Sequence, residues 1–220
     1  MNNSLEEIYV LLRNEFGYRN WWPADTREEV IIGAILTQNV SWRNVKKAIA
    51  NLKASNLLSL DAIHNEDPHN ITPLIKSTRF YNQKVQKLKN FTEFFFSKYR
   101  GSLCRLFENS LSDLRKELLS INGLGEETVD SILLYAGSKE IFVIDAYTKR
   151  IFSRIGIINE KILYKECQDF FMKNLDPDVK LYNDYHAQIV FLGHHLCRTI
   201  NPECHNCPLR QLCKFYGNNI

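Results

Sequence analysis

Apolar residues recur at spacings of three and four along most of the chain, the period of helices with one buried face. Leu5, Ile8, Leu11, Leu12 and Phe16 form one such stripe in a helix predicted from Ser4 to Phe16 and ended by Gly17. Asp25 or Thr26 caps the next, with Glu28 and Glu29 in its first turn. Its core, Val30 to Leu36, is apolar all round, so this helix is expected to be central and buried. Thr37-Gln38-Asn39-Val40-Ser41-Trp42 reads as a polar break, after which a helix resumes over Arg43 to Leu52 with Lys46 and Lys47 outside. Short helices are expected over 57–67 and 71–77, with Pro68 to Pro73 an interruption. A long helix then reaches Tyr99, its lysines Lys84, Lys87 and Lys89 reading as a solvated face. Further helices fall at 110–120, 146–155, 160–174 and 182–196. No β-sheet pattern and no internal repeat are evident, so the chain is expected to be all-α.

Two stretches break this regular pattern. Leu118-Leu119-Ser120-Ile121-Asn122-Gly123-Leu124-Gly125-Glu126-Glu127-Thr128 reads as the end of one helix, a tight Gly-x-Gly turn and the start of another. Gly123 and Gly125 are expected to take backbone angles barred to other residues, leaving amide groups turned outward as a grip for phosphate. The second stretch, Ile141 to Asp145, is a short β-prone run that ends abruptly in a carboxylate placed to cap the helix from Ala146.

Composition narrows the class. The 220 residues, with a hydrophobic share of 45% and a net charge of +3, describe an ordinary globular chain, and no nucleic-acid partner is declared by charge alone. The N-terminus lacks a secretory signal and the longest apolar run is far short of a membrane span, so a cytoplasmic location is expected. In that setting Cys197, Cys204, Cys207 and Cys213, in the spacing C-x6-C-x2-C-x5-C, point to metal rather than to disulfides. Tetrahedral zinc and a four-iron, four-sulfur cluster are both possible. Only Cys204 and Cys207 make a close pair, which tilts the choice towards iron–sulfur.

Taken together, the Gly-x-Gly hairpin, the run Val143-Ile144-Asp145 and the cysteine spacing resemble the endonuclease III family, the iron–sulfur branch of the helix-hairpin-helix DNA glycosylases. The resemblance extends from Ile31-Ile32-Gly33-Ala34-Ile35-Leu36-Thr37-Gln38 to Cys213. It implies two α-helical domains, here 26–136 ending in the hairpin and 1–25 with 137–220 carrying the loop 197–213. It also implies a [4Fe-4S] cluster on the four cysteines, Asp145 as the catalytic carboxylate, and a hairpin that grips a DNA phosphate, often with a monovalent cation. Gln38 is expected at the gap left in the base stack, Asn39 beside it at the DNA, and Lys149, Arg150 and Arg198 at phosphates. The expected partner is double-stranded DNA with a damaged base, and the protein is expected to act as a monomer away from membranes.

The sequence departs from the family where strand cutting is decided. Members that cleave the strand carry a lysine in the pattern Gly-x-Gly-x-Lys-Thr, whereas Glu127 stands in that place here and no lysine lies between Lys116 and Lys139. A carboxylate forms no imine, so base removal by water without strand cleavage is expected. Trp21-Trp22-Pro23, Leu36-Thr37-Gln38-Asn39, Tyr81-Asn82-Gln83-Lys84 and Glu127 resemble the 3-methyladenine glycosylases of this branch. That subgroup implies Trp21, Trp22, Trp42 and Glu127 as the base pocket. Two other readings stay open at this point: a bifunctional glycosylase and lyase on oxidised pyrimidines, and a non-catalytic iron–sulfur protein that binds DNA.

Overall fold

The structure is a computed structural model that describes residues 4–217. Among these residues every regular element is helical. The chain divides into two compact units, one formed by residues 22–139 and the other by the N-terminal residues to 21 together with 140 onward.

Helix α1, Leu5–Phe16, starts at Ser4, whose hydroxyl accepts from Glu7 N, and ends at Gly17 with φ +66°. In the unit 22–139, α2 (Arg27–Thr37) is capped by Thr26 rather than Asp25 and is buried from Val30 to Leu36, as its all-round apolar sequence predicts. The helices α3 (Trp42–Ala54), α4 (Leu60–Asn65) and α5 (Pro68–Leu74) follow. The stretch from Pro68 is helical, not the interruption expected from its two prolines. Pro68 occupies the first helical position, where no N–H is needed, and Asp67 caps His69 N at 2.7 Å.

The long helix α6 (Tyr81–Tyr99) overturns the expected solvated lysine face. Lys84 is 2% exposed, and its ammonium donates to Leu36 O at 2.7 Å and Thr78 O at 2.6 Å. Lys89 donates to the His64 and Glu66 carbonyls, and Lys87 to Gln38 Oε1. Carbonyls left over at the ends of neighbouring elements recruit Lys84 and Lys89 inward, because a helix C-terminus has acceptors without intrahelical donors, whereas Lys87 is drawn to a side-chain amide. After α7 (Leu103–Glu108) come α8 (Leu111–Leu119) and α9 (Glu126–Ser131), the two arms of the hairpin. They are locked by Arg115, whose guanidinium spans both oxygens of the fully buried Asp130 at 2.7 and 3.1 Å. The chain runs on from α9 as one π-helical turn, Ile132–Ala136, closed by Gly137 N donating to Ile132 O.

In the other unit, residues 141–145 form no strand or helix, and Asp145 itself is extended at φ −124° and ψ −178°. They lead into α10 (Ala146–Ile155), followed by α11 (Tyr164–Asn174), α12 (Val179–His195) and the short α13 (Lys214–Gly217). Phe142, Phe152, Phe171, Tyr182 and Tyr185 form its aromatic core. Helices α10 and α12 lie close because α12 carries Gly193, where an added Cβ would meet Tyr147 Cδ1 at 2.4 Å. No helix is long and apolar enough to cross a membrane.

Candidate functional site

The hairpin turn between α8 and α9 is set by one glycine rather than two. Gly123 has φ +95°, a conformation that L side chains rarely adopt, and its Cα sits against Lys87, whose Cγ lies 2.6 Å from where a Cβ would be. Gly125 instead has φ −96° and ψ 175°, ordinary extended backbone, so the expectation of an unusual angle there does not hold. Its missing Cβ faces open space, leaving the backbone approachable from outside.

Gln38 sits on this turn. Its Nε2 donates to Thr128 Oγ1 at 2.8 Å and to Gly123 O at 3.3 Å, while Lys87 holds its Oε1. Asn39 beside it is exposed and takes φ +55°, which asparagine tolerates better than most residues. A second strained turn, unnoticed in the sequence, precedes α6: Arg79 at φ +53° and Phe80 at φ +41°, with Phe80 66% exposed. The buried ammonium of Lys84 straps the Leu36 and Thr78 carbonyls together, so the Gln38 turn and the Phe80 turn are held by a common bond partner.

Trp22 and Trp42 come together, their rings 5.1 Å apart and edge to face. Trp22 also meets Tyr135, at 5.3 Å. Trp22 lies flat over α2 because residue 33 is glycine: an added Cβ would meet the indole at 3.2 Å. Tyr135 is half-exposed in a run of otherwise buried residues from 128 to 136, and sits in the π-helical turn. Nothing in the hydrophobic period marks it, although a single π turn inside a helix is a frequent feature of functional sites. Trp21 is half-buried and falls in the unit that holds residues 140 onward. Glu127 is exposed in the first turn of α9.

Asp145 is the N-cap of α10, as its position predicts. Its Oδ1 accepts from Thr148 N at 2.7 Å and Thr148 Oγ1 at 2.8 Å, and its Oδ2 faces His186 Nε2 at 3.6 Å. Burial opposes its charge, but the His186 imidazole and the two Thr148 donors outweigh it and hold the carboxyl below the usual range. Of the basic residues expected at phosphates, Lys149 donates to Ile162 O at 2.8 Å. Arg150 is tied to Gly193 O and Cys197 O at 3.0 Å each, and Arg198 to Glu203 and Asn201 O. Their first use here is to hold loops.

Cys197, Cys204, Cys207 and Cys213 all line one small pocket with Arg154, Leu196, Arg210, Phe215 and Tyr216. Among the described residues no three His, Cys, Asp or Glu side chains converge tightly enough for a single metal ion. Arg154 Nη1 donates to Cys197 Sγ at 3.3 Å and also holds the Arg198 and Thr199 carbonyls. Burial pushes Cys207 up to about 11 and Cys204 upward as well, so ligation there must displace thiol protons.

Residues 32–177 match the HhH-GPD superfamily of base excision DNA repair proteins. A Methanocaldococcus jannaschii protein named as a DNA repair glycosylase is 49% identical over 94% of each chain. Endonuclease III of Sulfolobus acidocaldarius is 28% identical over 98% of this chain and 95% of its own. Among solved structures, H. pylori 3-methyladenine DNA glycosylase bound to 1,N6-ethenoadenine matches with a TM-score of 0.75 at 28% identity, covering 84% of this chain and 94% of that one. A non-covalent endonuclease III–DNA complex has a TM-score of 0.81 at 19% identity over 97% and 96%, which speaks for the fold. By its helices, its hairpin and its relatives over nearly their whole length, the chain belongs to the HhH-GPD superfamily of base excision DNA repair proteins and is an endonuclease III-like DNA glycosylase.

Proposed function

We propose that this protein is a monofunctional DNA N-glycosylase that removes alkylated purines such as 3-methyladenine from double-stranded DNA, acts as a monomer, and leaves an abasic site. The observation that carries this reading is Glu127, exposed in the first turn of α9 where strand-cleaving members of the family hold their lysine. Without an amine there, water is the nucleophile. Asp145 Oδ2 takes a proton from that water as its oxygen bonds to C1′ of the sugar. The C1′–N bond breaks and its electron pair leaves with the base. An alkylated purine is already cationic, so it departs neutral without being protonated. The ionised carboxylate also offsets positive charge building on the sugar.

Base selection suits the aromatic trio of Trp22, Trp42 and Tyr135, since electron-rich faces attract a cationic ring by about 0.5–2 kcal/mol. A base must leave the stack to reach such a pocket. We assign Gln38, Asn39 and the exposed Phe80 to the vacated space, and the Gly123–Gly125 turn to a backbone phosphate, with a monovalent cation where one binds. Cys197, Cys204, Cys207 and Cys213 fit a [4Fe-4S] cluster, which needs four thiolates spaced around a small volume. When bound, the cluster would fix the loop 197–213, and Arg154 would supply an N–H to the Cys197 sulfur.

Release of bases from duplexes bearing 3-methyladenine, hypoxanthine, oxidised pyrimidines or mismatched thymine tests the substrate. Excision of oxidised pyrimidines alone would refute it. Asp145→Asn should abolish release and keep binding; indifference would favour a non-catalytic DNA-binding protein. One observation favours a second reading, a bifunctional lyase: the Lys87 side chain covers Gly123 and so brings an amine to the hairpin. Borohydride treatment during turnover decides, because a covalent adduct lost in Lys87→Ala would establish the lyase.

A further inference from the structure

The two oxygens of Asp145 have different surroundings. Oδ1 is engaged twice by Thr148, through its N–H and its hydroxyl, so Oδ2 is the oxygen left for chemistry. Facing Oδ2 at 3.6 Å is Nε2 of His186, a residue only 6% exposed. That approach is fixed by two helices rather than by a loop. Contacts between α10 and α12 advance in the same direction along both, from Asp145 with His186, through Tyr147 with Gly193, to Arg150 with Cys197. Other titratable groups near Asp145 include Cys167 on α11, whose thiol burial pushes up to about 11, Tyr164 on α11, whose hydroxyl accepts from Ile144 N at 3.3 Å, and Lys149 on α10 itself, tied to Ile162 O. Of these groups, the imidazole is the one that an ion-pair distance places against Oδ2.

We propose that His186 is the positioning residue for Asp145, presenting its Nε2 proton to Oδ2 so that this oxygen stays ionised and aimed at the attacking water. The proposal rests on the reading of Asp145 as the water-activating base. Two effects compete at this carboxyl. Burial alone drives a carboxyl towards its neutral form, which is useless as a base, while a donor beside it reverses the direction. The Thr148 bonds serve Oδ1 and the helix cap, and leave the second oxygen to His186.

The test is single-turnover base release from a duplex that the protein cleaves, followed from about pH 8 down to about pH 5. The unsubstituted protein is expected to keep its rate across this range. His186→Phe should lose about tenfold or more as the pH falls, because the undefended carboxyl takes up a proton. His186→Gln, which retains an N–H of similar reach, should restore most of the flat profile. Both variants should bind a duplex carrying an abasic-site analogue as the parent does. Should His186→Phe not fold, His186→Asn takes its place, since its shorter amide stops short of Oδ2, and the same acid limb is expected. Unchanged profiles in these variants would overturn the proposal, as would an equal loss at every pH in His186→Phe and His186→Gln. Undiminished release by Asp145→Asn would instead strike the reading of Asp145 itself, so the two failures are distinguishable.

Discussion

Lys84 shows how much a single buried side chain can decide. Its position on α6, beside Val85 and Leu88, gives no sign that its ammonium turns inward to two carbonyls. Burial, and then the nearby Lys87 charge, push its pKa down to about 8. The unfolded chain keeps that proton up to about 10.5, so between these values the unfolded state binds more protons, and this group's contribution to stability rises with pH. Thermal melts of the parent and Lys84→Met across that window should show the parent gaining on the variant as pH increases. A constant difference would mean that the charge is not desolvated as the geometry implies. Lys84→Met should also loosen the Gln38 and Phe80 turns together, because both depend on the carbonyls it holds.

At the scale of an element, the hairpin combines a strong lock with an open turn. Arg115 is the partner of a carboxylate with no exposure, and removing one partner of a buried pair typically costs about 3–5 kcal/mol. Arg115→Ala is therefore expected to lower the free energy of unfolding by about that amount, as urea denaturation would measure. The two glycines should separate in the same assay. Gly123→Ala places a Cβ at φ +95° against Lys87, and a loss of about 1–3 kcal/mol is expected. Gly125→Ala meets nothing, so stability should hold within about 0.5 kcal/mol. If the turn grips a phosphate, however, Gly125→Ala should weaken duplex binding several-fold by crowding the backbone approach. Full affinity in that variant would move the phosphate grip elsewhere.

At the scale of the whole molecule, one helix pair holds both Asp145 and the start of the cysteine loop in the unit that holds residues 140 onward. Asp145 stands at the start of α10, and Arg150 and Arg154 further along it fasten the loop that begins at Cys197. A fault in the cysteine loop should thus be felt by the helix that presents Asp145. Cys207→Ser is expected to lower iron content and visible absorption together, to reduce the melting temperature, and to slow base release more than it weakens binding. Iron bound at the parent level in that variant would remove Cys207 from the ligand set. The net charge of +3 is modest, so duplex affinity should fall as salt rises through the range where counterion release matters.

Helix periods, caps and cysteine spacing are local properties, and for that reason the sequence alone determined a good deal. The buried run of α2, the all-helical character, the Asp145 cap, Glu127 in the lysine's place and the grouping of four cysteines are all readable from neighbours a few residues apart. What it left undecided depends on contacts between residues far apart in the chain. Lys84, Lys87 and Lys89 look alike in a helical stripe, and only acceptors on other parts of the chain draw them inward. Gly123 and Gly125 look alike in a Gly-x-Gly turn, yet one takes a left-handed angle and the other does not. Tyr135 joins Trp22 through a π turn, and His186 reaches Asp145 through the close approach that Gly193 permits. A hydrophobic period tells which face of a helix is buried; only the packed structure selects the side chain that meets it there.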